Sequence, residues 1–177
     1  MTDNGDIRIR RATRDDADFL HELVNHEEVQ PFLGARAARD RERIVEELER
    51  QEHEPEHFGR FVIEVRGGDG WQRAGSLGFH VENARSRIAQ LEKLAVHPDF
   101  RGRRLADEAA RLFQRHLVFD LGYHRLEMIV YGFNERAQRH AERAGWIREG
   151  VKRKAYLRHG EWTDGVMYGV IREDFEQ

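Results

Sequence analysis

The stretch HPDFRGRRLA, residues 97–106, sets three arginines and a glycine immediately ahead of a run with helical periodicity. Backbone N–H groups in the first turn of a helix have no intrahelical partner, and the helix dipole favours negative charge there. Gly102 lets the backbone approach a phosphate closely, while Arg101, Arg103 and Arg104 supply fixed positive charge and several donors. With Leu105 and Ala106 opening the helix, these residues have the chemistry of a phosphate cradle. The chain carries 27 arginines against 3 lysines, however, so an arginine-rich turn is also what solvated surface would look like. The pattern alone leaves both readings open.

Hydrophobic periodicity sets the elements around this loop. IRIRRAT alternates as a strand, and Ala17, Phe19, Leu20, Leu23 and Val24 then recur at helical spacing. ARDRERIVEELERQEHEPEH predicts a second helix on the surface, with only Ile44, Val45 and Leu48 apolar and Pro55 marking its end. HFGRFVIEVR and WQRAGSLGFHVE form a hairpin around GGDG, and SRIAQLEKLAVHP is a third strand stopped by Pro98. Beyond the loop, Leu105, Ala109, Leu112, Phe113 and Leu117 predict a helix running toward Gly122. A short apolar strand follows, HRLEMIVYG, and then a helix that starts at Asn134 and closes at Gly145. The last stretch reads as a hairpin turning near His159 and Gly160. The result is an α/β (α+β) chain of about seven strands and about four helices, in a single domain over residues 1–177.

Composition removes several kinds of chemistry. Without cysteine there is no disulfide framework, thiolate metal site or cysteine nucleophile. The only serines are Ser76 and Ser86, and AGSLG lacks the first glycine of a nucleophile elbow. RGGDGW has neither the Lys-Ser/Thr of a P-loop nor a following helix. The histidines show no metal-ligand spacing, so no metal is expected. A net charge of −3 argues against nucleic-acid binding driven by charge, and no apolar run reaches the length of a leader or a membrane span. A cytoplasmic protein with no membrane partner is the expectation.

Taken together, LAVHPDFRGRRLADEA, NERAQRHAERAGW and REGVKRKAYLRHGEWTDGVMYGV resemble the GNAT family of N-acetyltransferases over nearly the whole chain. The likeness is to the branch that acetylates ribosomal-protein N-termini and polyamines. It implies the GNAT fold, with a mixed, mostly antiparallel central sheet, and acetyl-CoA as cosubstrate. Leu94, Ala95 and Val96 would pair through their backbone with the pantetheine arm, and Arg101, Gly102, Arg103, Arg104, Leu105 and Ala106 would wrap the pyrophosphate. Asn134 would contact the arm or order its helix. Two positions depart from the family pattern. Arg104 stands where a glycine is usual, and Ala141 stands where a tyrosine usually serves as general acid.

The implied reaction is attack of a primary amine on a thioester, by direct transfer in a ternary complex. The amine must first lose a proton that alkyl ammonium groups hold to about pH 10. Period-two alternation puts Glu92 on the face of Leu94 and Val96, which makes it the candidate general base. Tyr131 is the named candidate acid, with His140, Tyr156 and Tyr168 as other replacements for the missing tyrosine. The acceptor wall is expected from the two N-terminal helices and the last hairpin. The amine is a protein N-terminus, a polyamine or a small molecule, and a homodimer is compatible with the resemblance. A CoA-binding regulatory or scaffold domain without catalysis is the alternative.

Overall fold

Ile7–Arg11 (β2) buries Ile9 and leaves its arginines at the rim, where Arg10 donates to the Asp16 carboxylate at 2.7 and 2.9 Å. Asp16 is fully buried and also accepts from Arg73 at 2.7 Å and from the Thr13 N–H at 2.8 Å. Burial pushes its carboxyl up, but these donors outweigh burial and hold it at about 2. A carboxylate so fixed anchors the start of the first helix, Ala17–Asn25 (α1). The structure, a computed structural model, describes residues 2–3, 5–34, 40–102 and 104–176.

A second helix, Arg41–His53 (α2), follows α1. Three strands come next, Phe58–Gly67 (β3), Gly70–Asn83 (β4) and Ile88–Val96 (β5). Then come Leu105–Arg115 (α3), Arg125–Tyr131 (β6), Glu135–Arg143 (α4), Ile147–Arg158 (β7) and Glu161–Ile171 (β8). This is the order expected from periodicity. A two-residue edge strand, Thr2–Asp3 (β1), is added to it, so among the described residues the sheet has eight strands in the order β1-β2-β3-β4-β5-β6-β8-β7. All neighbours are antiparallel except β5 and β6. The final hairpin turns at His159 and Gly160, both at positive φ, as a tight two-residue connection between twisted strands requires.

The sheet is covered on both faces. Leu20, Leu23 and Val24 of α1 and Ile44 and Leu48 of α2 form one core with Val62 and Ala95. Ala109, Ala110 and Phe113 of α3 and Ala141 of α4 form the other, with Phe61, Leu77, Phe79 and Leu126. On β5, Ala89 and Leu91 pack toward the second core, as do Leu94 and Val96, while Ala95 points to the first. The parity of the strand therefore changes between Leu91 and Leu94. The cause is a β-bulge: Ser76 pairs with Ala95 and Gly78 with Glu92, so Lys93 and Leu94 together oppose the single residue Leu77. Lys93 adopts φ 60 to make it.

The bulge corrects the expectation for Glu92. Strict alternation places Glu92 with Leu94 and Val96, but Glu92 and Lys93 both face α2, opposite to those two. A Cβ added to Gly75 would overlap the carbonyl oxygen of Ala95, so β4 can lie against the strand beyond the bulge only where it carries no side chain. Gly75→Ala is expected to cost about 1–3 kcal/mol, the usual range for overpacking. Thermal unfolding of the variant, with Gly68→Ala in the open hairpin turn as the neutral control, checks it.

Candidate active site

Strands β5 and β6 are parallel neighbours only through Ile88–Gln90 and Arg125–Glu127. From Leu91 onward they separate, and the edge of β5 that faces β6 has no ladder partner among the described residues. Two cavities fill the gap. One, of about 590 Å³, runs from Gly78, His80 and Glu92 on the α2 face to Ala110, Phe113 and His140 on the α3 face. The other, of about 200 Å³, is lined by Leu94, Ala95, Val96, Arg101, Ala106, Asn134 and Arg136. Most of the residues singled out from the sequence thus line two adjoining cavities that share part of their walls, while Gly102, Arg104 and Leu105 line neither.

The loop ahead of α3 has the backbone the phosphate reading needs. Gly102 has φ 84 and Arg104 has φ 54, ψ 18, left-handed values that turn the chain into the helix. The N–H groups of Leu105 and Ala106 have no hydrogen-bond partner among the described residues. Arg104 is exposed, so its side chain does not fill the cradle, and Leu105 anchors the helix start in the core. Arg103 lies outside the described residues. Arg101 is drawn aside: its guanidinium donates to the Glu28 carboxylate at 2.7 Å and to the Glu28 carbonyl at 3.1 Å, binding the loop to the segment after α1. Asn134 caps α4, its Oδ1 accepting from the Ala137 N–H at 3.1 Å. Arg136, which sequence reasoning did not single out, faces the smaller cavity from the first turn of α4 and makes no ion pair among the described residues. Its signal was its place two residues after a helix cap.

On the α2 face, Lys93 donates to Glu47 at 2.7 Å and lies 2.7 Å from Glu92. The other oxygen of Glu92 lies 3.5 Å from His80 Nδ1. Burial pushes the Glu92 carboxyl up, but His80 and Lys93 outweigh it and hold it at about 2. Arg60, fully buried, crosses beneath Gly78 with its Nε 3.6 Å from Glu47. Burial pushes its guanidinium down, and Glu47 and Glu92 oppose that. Glu92 is therefore an ionised group in a partly buried lattice of four charges, a weak proton acceptor whose charge is matched by Lys93 and whose second oxygen faces His80. His80, which sequence reasoning treated only as a non-ligand, is its neighbour in the cleft.

The outer wall is aromatic. Tyr131 stacks on Phe133 at 5.6 Å and meets Tyr156 edge-on at 5.5 Å, and the Arg158 guanidinium lies over its ring at 5.1 Å. Arg158 also donates to the carbonyl of Leu33 at 3.0 Å, which ties the last hairpin to the segment carrying Phe32. Gly165 makes room for the Tyr156 ring, since a Cβ there would come 2.5 Å from its Cε2. The segment after α1 and the last hairpin thus wall the cleft together, whereas the two N-terminal helices expected there contribute no lining residue among the described residues. Tyr131 lines this wall, Ala141 is buried in the core beside α3, and Tyr168 is buried in the same core. Among the described residues no group of three or more His, Asp or Glu is placed to hold a metal ion, and no helix is long and apolar enough to cross a membrane.

The profile of the acetyltransferase (GNAT) domain family matches residues 6–147. The chain is similar to the SPbeta prophage-derived uncharacterized N-acetyltransferase YokL of Bacillus subtilis (strain 168), at 35% identity over 83 residues, a match that spans 47% of this chain and 47% of that one. It is 21% identical over 169 residues to the spermidine N(1)-acetyltransferase of Escherichia coli (strain K12), covering 96% of this chain and 88% of the other. The fold superposes on the spermidine N-acetyltransferase from Vibrio cholerae in complex with CoA and spermine with a TM-score of 0.85, at 18% identity over 98% and 100% of the two chains. It superposes on the ribosomal-protein-S5-alanine acetyltransferase from Vibrio fischeri with a TM-score of 0.82, at 15% identity over 99% and 98%.

Two substitutions test the loop. Arg104→Gly relieves a side chain at positive φ and is expected to raise Tm by about 2–4 °C. It should weaken CoA binding less than about fivefold, the ceiling for one exposed charge. Ala106→Asp places a carboxylate in the first turn of α3, where it suits the helix but opposes a phosphate. Calorimetry should show CoA affinity lowered about tenfold or more with no loss of Tm.

Proposed function

The chain belongs to the GNAT acetyltransferase family, and from that premise we propose that it moves the acetyl group of acetyl-CoA directly to a primary amine in a ternary complex. The observation that carries this reading is the gap between β5 and β6, which opens on both faces of the sheet. A thioester lying in the gap can be met by an amine from the α2 face while its pantetheine arm leaves by the other.

The residues around the gap fit CoA. The unpartnered edge of β5 at Leu94–Val96 offers N–H and C=O groups to the two amides of a pantetheine arm. The first-turn N–H groups of Leu105 and Ala106 and the side chain of Arg136 suit the pyrophosphate. Arg101 contributes by holding the loop against Glu28. Bound here, acetyl-CoA supplies the activated acetyl group, and the chain supplies position and proton handling.

On the acceptor side, Glu82 and Glu92 bring carboxylates to the cleft, and Phe32, Tyr131 and Tyr156 bring rings. That lining suits an alkyl amine carrying positive charge, a polyamine above a neutral small molecule. The spermine bound to the Vibrio cholerae relative belongs to the same class of amine. Glu92 takes a different role from the general base expected from the sequence, since a carboxylate held near 2 takes up a proton poorly. As an ionised carboxylate it receives the ammonium group, and the proton passes onward through His80 or water, because Glu92 itself is held near 2.

The second reading, a CoA-binding domain without catalysis, rests on Ala141, which offers no proton at the usual position. A CoA-release assay over polyamines, N-terminal peptides and aminoglycosides separates the two. Turnover with any amine supports transfer, whereas CoA binding with no turnover supports the other. For the amine side, Glu92→Gln should lower kcat/KM by about 10- to 100-fold near neutral pH, the worth of one charge-assisted contact. The deficit should shrink as pH approaches about 10, where the amine is already neutral. A deficit that stays constant across that range would assign Glu92 to stability alone.

A further inference from the structure

The α3 face holds a second ionisable pair, of which His140 lines the cleft, that the amine-side chemistry leaves unused. Asp107, in the first turn of α3, and His140, on α4, meet between the two helices with His140 Nδ1 2.6 Å from Asp107 Oδ1. Arg143 donates its Nε to Asp107 Oδ2 at 2.8 Å and its Nη2 to Oδ1 at 3.2 Å. Both partners are buried, at 3% exposure for Asp107 and 9% for His140. Burial pushes the Asp107 carboxyl up, but Arg143 and His140 outweigh it and hold it below the usual carboxylate range. An ionised carboxylate can only accept, so the hydrogen sits on Nδ1, and Nε2 is the working end of the ring. The bond from Nδ1 to Asp107 is the one side-chain hydrogen bond of His140 among the described residues, which leaves Nε2 to the cleft.

Position decides what that nitrogen can reach. Six residues line both cavities: Phe32, Leu33, Leu94, Asn134, Ala137 and His140. His140 alone among them is ionisable. It stands where the groove along β5 meets the cleft through the sheet, and a thioester whose arm lies in the groove has its sulfur at that boundary. Tyr131 lines only the larger cavity, and the next residue on α4, Ala141, has no proton to give.

We propose that His140 is the catalytic residue that protonates the departing CoA sulfur, with Asp107 as its positioning residue. The inference rests on the acetyl-transfer reading above. In the step, the amine lone pair forms the N–C bond, and the proton that nitrogen sheds as the amide forms passes to Nε2, directly or through water. The C–S bond breaks with its electron pair on sulfur, the Nε2 proton moves to sulfur, and the ring returns to its neutral Nδ1–H state. The ammonium proton removed earlier on the α2 face is the one released to solvent. Burial pushes the imidazolium down while Asp107 draws it up, with Arg143 and Arg111 as the neighbouring cations that also lower it, so the charged ring gives up its proton readily.

His140→Gln keeps a donor toward Asp107 and removes the ionisable nitrogen. With CoA affinity and Tm retained, kcat is expected to fall about 10²- to 10⁴-fold, and added imidazole should restore part of the rate in His140→Ala. A second readout needs no turnover. The ultraviolet thiolate band of bound CoA, followed against pH with no amine present, should emerge about one unit lower in the wild type than in His140→Gln, because Nε2 can take the thiol proton. Asp107→Asn leaves His140 in place and should lower kcat tenfold or more, which keeps the test open if the histidine variants do not fold. Equal thiol titration and equal kcat in wild type and His140→Gln would overturn the proposal. A wild type inert toward every amine would instead overturn the transfer reading, while the thiol titration still reports whether His140 meets the sulfur.

Discussion

The arrangement depends on one irregularity, the bulge that lets two residues of β5, Lys93 and Leu94, face one residue of β4, Leu77. It reverses the parity of β5, so residues that would share a face are divided between the two sides of the sheet. It coincides with the parting of β5 from β6 after three residue pairs, which exposes a stretch of backbone that ordinary sheets keep paired. A non-glycine residue at φ 60 is unfavourable by itself and persists only when its surroundings fix it. Here the fixing is done by the side chain of the same residue: Lys93 Nζ is held between Glu47 and Glu92 and lies 5.2 Å from the Phe58 ring centre. The charges that brace the bulge are also those that meet the cleft.

The two faces of the gap are built from different chemistry. The α2 face presents carboxylates and aromatic rings, and the other presents helix N-termini, arginines and a carboxylate-bound imidazole. On the acetyl-transfer reading, an amine and a phosphorylated cosubstrate have opposite charge, so the two sides would sort them. The separation rests on sequence-distant pairs. Arg158 joins the last hairpin to Leu33, and Arg101 joins the α3 loop to Glu28.

Local signals explain what could be read in advance. Element order, the loop before α3, the Asn134 cap and the turn at His159 and Gly160 are each written within a few neighbouring residues, through periodicity, capping chemistry and glycine placement. The bulge had no such signal, because neither glycine nor proline marks Lys93, and alternation carried straight through it put Glu92 on the wrong face. Arg101 was read as a phosphate ligand because its partner, Glu28, lies 73 residues away. His140 stood beside the missing tyrosine in the sequence, but its bond to Asp107, 33 residues distant, exists only once α3 and α4 pack. The two-residue strand β1 is too short for any pattern.

Glu47, Arg60, Glu92 and Lys93 form a neutral set of two acids and two bases, with Arg60 wholly enclosed and Lys93 nearly so. Deleting one member of such a set strands a charge away from water, at a cost of about 3–5 kcal/mol, whereas exchanging a pair for well-packed apolar groups is often tolerated. Inheritance at these positions is therefore expected to be coupled. Related chains are expected to keep all four or to have lost them two at a time, in oppositely charged pairs, and a lineage that discards Lys93 must at the same step find glycine, or another way to turn the backbone, at position 93.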